Sequence, residues 1–235
     1  MTCYRLFFEP GQRNENLLEL TPEQRHYLTR VLRLQPGENF VALDGTGQAW
    51  SATLTTVGAN LASIAVPNTE LPVSLTLAVA LPKGSGFDDI VRAGTELGVT
   101  AFAPIISDRT LLKPSSNRLT RWKKIATEAA EQSERLKIPR ILSPQKFTDF
   151  CRNAIPSPGN YLCVARGDRP TLAQQYLSQK PSSIILLTGP EGGWTEAEIT
   201  FAIAENFQPV SLGSSVLRAV TAPIAGAALI SGLST

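Results

Sequence analysis

The sequence predicts two domains of different class: a short β-domain, then an α/β domain built on a mostly parallel sheet. Three observations carry this. Residues 36–66 read as short strands separated by turn residues, and from Val73 the pattern becomes strands alternating with helices. Between the two patterns, Pro67–Pro72 reads as a linker, which implies domains at residues 1–70 and 73–235. With 235 residues, 43% of them hydrophobic and 18% charged, the chain can bury a sizeable core.

The elements follow from local chemistry. Thr21-Pro22-Glu23-Gln24 carries a hydroxyl cap, a proline at the first helical position and a glutamine three after the cap. That helix is predicted to run to about Leu34 and stop before Pro36-Gly37. Phe40–Leu43, Trp50–Leu54 and Leu61–Val66 are strands of a meander or small barrel, with turns at Asp44–Gly47 and Gly58–Asn60. Leu75–Leu81 is a buried strand, ended by Pro82–Gly86. A helix from Phe87 buries Ile90, Val91, Gly94 and Leu97, with Gly98 just past its end. Val99–Ile106 is the next strand. Thr120 caps a long helix with Trp122, Ile125, Ala126, Ala129, Ala130 and Ser133 on one face, and Lys124/Glu128 and Glu131/Arg135 pairs outside. Tyr161–Ala165, Ser183–Leu187 and Pro209–Leu212 complete the strands. Thr195–Glu198 is a capping box, and Pro223–Leu233 a small-residue terminal helix.

Composition narrows the function. No apolar run reaches the ~18 residues of a membrane span, and the amino-terminal run lacks the order of regions in a secretory leader, so a cytoplasmic location is expected. Cys3, Cys151 and Cys163 have no paired spacing, and His26 is the single histidine. A disulfide framework, a metal site and a His-based triad are disfavoured. Net charge is only +2, yet Arg109–Arg152 holds 11 basic against 4 acidic groups. Such a block attracts phosphates; a solvated cationic face explains it equally well.

Three segments carry candidate chemistry. Ser183–Thr188 enters a loop with Gly189, Gly192 and Gly193, then the Thr195 helix; parallel sheets bind ligands at that edge. The loop is neither a phosphate loop nor a dinucleotide fingerprint, and on glycine content alone a tight turn is the better reading. Ser211–Thr221 is a second glycine-bearing turn between a strand and a helix, with Arg218 and Thr221 as its candidate polar groups. His26, Arg30 and Arg33 are spaced by four and three residues, which puts them on one helical face opposite Leu28, Val31, Leu32 and Tyr27. That stripe suits an RNA backbone, or simply solvent.

The ordered motifs His26-Tyr-Leu-Thr-Arg-Val-Leu-Arg33, Thr95-Glu-Leu-Gly-Val99, Arg121-Trp-Lys-Lys-Ile125, Glu131-Gln-Ser-Glu-Arg135, Leu187-Thr-Gly-Pro-Glu-Gly-Gly193 and Leu212-Gly-Ser-Ser-Val-Leu-Arg218 span nearly the whole chain. Together they resemble the 16S ribosomal RNA uridine-N3 methyltransferase family of the SPOUT superfamily. The resemblance implies a PUA-like RNA-binding barrel, an α/β domain with a deep trefoil knot, a homodimer and S-adenosyl-L-methionine as cofactor. It implies cofactor contacts from Leu187, Thr188, Gly189, Pro190, Gly192 and Gly193, and from Leu212, Gly213, Ser214, Val216, Leu217 and Thr221. Catalytic candidates are Arg218, for charge developing on the uracil, and Glu96 or Glu191 as a base. RNA contact falls to Arg5, His26, Arg30, Arg33, Lys83, Arg109, Arg121, Lys124 and Arg135. Val220 stands where the family usually carries an acidic residue, and Ala93, beside Arg92, where it commonly carries lysine. Ribose 2′-O-methylation and a non-catalytic ribosome-assembly role remain the alternatives.

Overall fold

A computed structural model describes residues 4–112 and 115–234, so Cys3 lies outside the described residues. The chain divides into two compact units. One runs to Glu70 and also takes in Ala130–Ile138; the other holds the rest of the described chain.

The first unit is a six-stranded sheet in the order β1-β4-β5-β6-β3-β2. Its strands are β1 (Arg5–Phe7), β2 (Arg13–Asn14), β3 (Leu17–Leu18), β4 (Asn39–Leu43), β5 (Ala49–Leu54) and β6 (Ala59–Ser63). β1 joins β4 in parallel, Arg5 opposite Val41; the other pairings are antiparallel. β4 reads as an unbroken Phe-Val-Ala-Leu run because both sheet faces are covered. Phe40 and Ala42 join Leu6, Phe8, Leu18, Trp50 and Leu54 in one core. Val41 and Leu43 join Phe7, Ala130, Leu136 and the half-buried Ile138 on the other face.

The amino-terminal helix departs from its predicted course. Thr21 and Gln24 form the capping box, but α1 (Pro22–His26) passes at once into a π-helical turn, Tyr27–Val31. The wider turn lets Leu28 and Leu34 both reach the core, with Leu34 N–H donating to the Leu28 carbonyl at 2.9 Å. Val31 is then 59% exposed rather than buried. Arg33 adopts φ 60°, a left-handed helix end usually left to glycine or asparagine.

The second unit is a wholly parallel sheet in the order β10-β8-β7-β12-β11-β13, with β9 also paired to β8. Its strands are β7 (Ser74–Ala80), β8 (Ala101–Ile106), β9 (Arg140–Ile141), β10 (Gln145–Lys146), β11 (Asn160–Cys163), β12 (Ser183–Thr188) and β13 (Gln208–Val210). α4 (Phe147–Asn153) and α6 (Glu196–Ala204) cover one face over Ala78, Ile105, Leu162 and Leu187. α2 (Gly86–Glu96) and α7 (Thr221–Ser234) lie on the other. Their glycines allow that approach: a Cβ on Gly94 would stand 2.7 Å from the Phe102 ring, and one on Gly226 only 2.3 Å from Leu186. α5 (Leu172–Gln179) joins α7 through Tyr176 and Ser234, whose hydroxyls are 2.8 Å apart.

α3 spans Ser116–Gln132, so Thr120 lies within it and bonds back to the Ser116 carbonyl at 3.4 Å instead of capping. Trp122 is buried against Phe87, with ring centroids 4.5 Å apart. Burial, with Glu205 and Glu198 nearby, pushes the Cys151 thiol up to about 12, so it stays protonated in the core. Among the described residues no helix is long and apolar enough to cross a membrane, and no cluster of His, Cys, Asp and Glu suits a metal ion.

The Pro67–Pro72 segment contains an anchor rather than a free linker. The Glu70 side chain is only 8% exposed, is ion-paired with buried Arg135, and accepts backbone N–H bonds from Leu136 at 3.1 Å and Lys137 at 3.0 Å. Glu70→Ala strips the carboxylate from a buried guanidinium and two N–H groups. Urea unfolding should show a loss of about 3–5 kcal/mol; an unchanged midpoint would refute the anchor.

Candidate functional site

Because every pairing in the second sheet is parallel, the loops after β7, β8, β11, β12 and β13 leave from one edge. β11 separates β12 from β13, so the loop after β12 and the loop after β13 begin two strand spacings apart, roughly 10 Å. Between them the end of β11 forms a floor. The Trp194 indole N–H donates to the Cys163 carbonyl there at 3.1 Å, which folds the first loop over it. Leu186 and Leu212, at the bases of the two loops, both pack on Gly226 of α7.

Each loop holds backbone toward open space. Gly193 takes φ 67° and donates to the Pro190 carbonyl at 2.9 Å. Gly213 takes φ 131° and is locked by Ser211, whose Oγ accepts from the Gly213 N–H at 3.1 Å and donates to its carbonyl at 2.8 Å. Nothing lies within 4 Å of where a Cβ would stand at either glycine. At the foot of the first loop, Leu187, Thr188 and Pro190 are buried and Gly189 half-buried. The Thr188 hydroxyl has no hydrogen-bond partner although the residue is 0% exposed. Buried hydroxyls are ordinarily satisfied, so this one marks a place for a polar ligand atom.

In the second loop Ser214, Val216 and Arg218 are exposed, while Leu212 and Leu217 are half-buried. The Arg218 carbonyl accepts the Ala222 N–H at 2.9 Å, which sets the first turn of α7 behind exposed Thr221. The Arg218 guanidinium has no protein partner among the described residues and is available to a substrate. Val220 packs a methyl group against the Gly86 turn, 2.7 Å from the place of a Cβ there.

Several sequence-predicted roles change. Glu191 Oε1 accepts the Lys83 N–H at 2.9 Å, so it ties the β7 and β12 loops together. Arg109 donates to the carbonyls of Gly192 at 2.6 Å and Trp194 at 3.4 Å, clamping the glycine loop instead of standing free for RNA. Glu96 ends α2, which begins at the loop edge, so an 11-residue helix of about 16 Å separates it from both loops. Arg135 is only 3% exposed and pairs with Glu70; it serves packing, not RNA contact. Arg5 is likewise drawn to Glu134 at 2.9 Å. Lys124 keeps its surface pair with Glu128 at 3.7 Å, and Arg121 is held by Asp88 at 2.8 Å.

His26, Arg30 and Arg33 are exposed on the first unit beside Tyr27, which is 37% exposed. In the second unit the side chain of Lys83 is also exposed. Arg118 was missed as an individual residue, although it lies within the basic block; it donates to the Gly84 carbonyl at 2.9 Å in the loop after β7.

Comparison with known proteins agrees with this architecture. An RNA methyltransferase domain family matches residues 69–231, and an RNA methyltransferase PUA domain family matches residues 20–66. The ribosomal RNA small subunit methyltransferase E of Synechocystis is 52% identical over 237 residues, covering 98% of this chain and 78% of that protein. The Bacillus subtilis protein of the same name is 30% identical, covering 90% and 88%. The crystal structure of the Neisseria gonorrhoeae protein of that name, bound to S-adenosyl methionine, has a TM-score of 0.88 at 30% identity over 99% of this chain and 98% of that one.

Fold and domain make-up therefore define an RNA methyltransferase with a PUA-like amino-terminal module. Within that class, the chain belongs to the ribosomal RNA small subunit methyltransferase E family.

The Arg109 clamp is directly testable. Arg109→Ala should speed amide exchange across Gly189–Trp194 about fivefold, the effect of about 1 kcal/mol of lost hydrogen bonding. Exchange followed by mass spectrometry reads it, and unchanged protection would remove the clamp.

Proposed function

We propose that this protein transfers a methyl group from S-adenosyl-L-methionine to N3 of a uridine in 16S rRNA of the small ribosomal subunit. The observation that carries the reading is the pair of glycine-bearing loops flanking the end of β11, with an unpartnered Arg218 beside them. The fit to the cofactor rests on the orphaned Thr188 hydroxyl and on the open backbone at Gly193 and Gly213. Leu187–Gly193 and Leu212–Leu217, with Thr221, hold the cofactor mainly through backbone groups.

The bound sulfonium supplies an already activated methyl group, so the protein's task is alignment. The Trp194 indole, the Arg109 clamp and the Glu191 tie fix the first loop in advance of binding. Uridine N3 carries a proton at neutral pH, and negative charge grows on the ring oxygens as that proton passes to solvent water. Arg218 stabilises this charge and orients the base. His26, Arg30 and Arg33 on the first unit bind RNA phosphates, and Lys83 serves the target strand near the loops.

The protein acts in the cytoplasm as a homodimer. α7 supports a dimer contact: no charged residue occurs between Thr221 and Ser234, and Ala228 and Leu229 face outward. The return of the chain from β13 through residues 211–220 into α7 is where the family's trefoil knot would close.

Small-subunit particles from a strain lacking the activity should accept labelled methyl from the cofactor, and mass spectrometry should place it on uridine N3. Label on a ribose 2′-oxygen, or cofactor binding without incorporation, would sink the reading. Arg218→Ala, with the cofactor saturating, should slow incorporation on the order of 10²-fold; an undiminished rate would end its role. Neutralising Arg30 and Arg33 together should reduce the slope of log affinity against log salt by about 1.4, at ~0.7 per single-strand phosphate contact. An unaltered slope would return the stripe to solvent.

A further inference from the structure

Beside the loop after β7 lies a cavity of about 340 Å³, lined by Gly84, Ser85, Asp88, Asn117, Arg118 and Arg121. It adjoins the loop tied to the methyl-donor region by Glu191, yet none of the cofactor contacts described above lines it. We infer that this cavity binds one phosphodiester of the RNA strand next to the methylated nucleotide. The inference rests on the methyltransferase reading and adds to it how the strand is held.

The chemistry comes from the way Arg121 is mounted. Its Nε donates to Asp88 Oδ2 at 2.8 Å, and Asp88 Oδ1 accepts the indole N–H of buried Trp122 at 3.0 Å. Asp88 is 6% exposed and Trp122 fully buried, so the carboxylate that holds Arg121 is itself fixed in the core. The guanidinium is thus held by its Nε edge, and Nη1 and Nη2 have no protein partner among the described residues. The side chain remains 66% exposed. A fork anchored in this way has already lost much of the rotamer freedom that phosphate binding would cost, and its two free amino groups match two phosphate oxygens.

Arg118, three residues before Arg121 on α3, lines the same cavity. Only its Nη1 is engaged, on the Gly84 carbonyl, which leaves further donors for the same anion. Ser85 and Asn117 add a hydroxyl and an amide at the rim. Two guanidinium charges against the single Asp88 carboxylate leave one positive charge, the complement of one phosphodiester. A mononucleotide terminus carries more charge than the site balances, so an internal linkage suits it better.

Asn117→Asp is the decisive variant. It lies in the first turn of α3, where a carboxylate favours the helix, so the protein should fold while the cavity turns repulsive to phosphate. With small-subunit particles as substrate, KM should rise at least tenfold with kcat held within twofold, and calorimetric affinity for S-adenosylmethionine should not move. Arg118→Gln should raise KM more modestly and lower the salt slope by about 0.7. An unchanged KM and slope in both variants, with the parent active, overturns the phosphodiester site alone. Parallel loss of cofactor affinity in Arg118→Gln also overturns it, since the residue would then only support Gly84. A parent that neither binds nor methylates the RNA overturns this inference and the methyltransferase reading together.

Discussion

The six-residue parallel pairing of β7 with β12, from Ser183 opposite Ser74 to Thr188 opposite Val79, is the contact on which the site depends. It joins segments more than a hundred residues apart and puts their carboxyl ends in register. The Lys83 N–H can therefore meet the Glu191 carboxylate, and the Arg109 side chain from the end of β8 can reach the Gly192 carbonyl. A strand slipped by one residue would turn Leu186 and Thr188 to the opposite face. It would also separate Leu186 from Gly226, which has no side chain to fill the gap. The close α7 packing and the loop geometry thus share one register.

Much of this was readable from residue pattern. The buried strands of the second unit announced themselves as apolar runs, and Thr195 with Glu198 marked the start of α6 as a reciprocal cap. Thr171 with Gln174 forms the same kind of cap on α5, a signal equally present in the sequence. The very short β1, β2 and β3 have too few residues to show a period: β1 and β3 exist through partners distant in the chain, and edge strand β2 through its hairpin with β3.

The site was legible in outline and less so in its charges. A glycine loop at the carboxyl end of a strand has a local signature. Whether a given arginine faces solvent, a carbonyl or a carboxylate depends on residues far away in sequence. Arg109, Arg121 and Arg135 look alike within one basic block, yet one clamps backbone, one is braced on Asp88 and one is buried against Glu70. The π-helical turn is hidden for a related reason: the i, i+3, i+4 spacing of Leu28, Val31 and Leu32 fits an α-helix, and only the demand to bury Leu34 widens it.

The Glu70 anchor carries a consequence for synthesis on the ribosome. The first unit is discontinuous, since Ala130–Ile138 supplies Leu136 to its core and the partner of Glu70. Its β-strands have all been made by Ser63, but the face formed by Phe7, Val41 and Leu43 stays uncovered until residue 138 has left the exit tunnel. During that interval the nascent chain exposes an apolar sheet surface, the kind of surface that holding chaperones recognise. A gene fragment cut at the apparent linker would keep that state permanently.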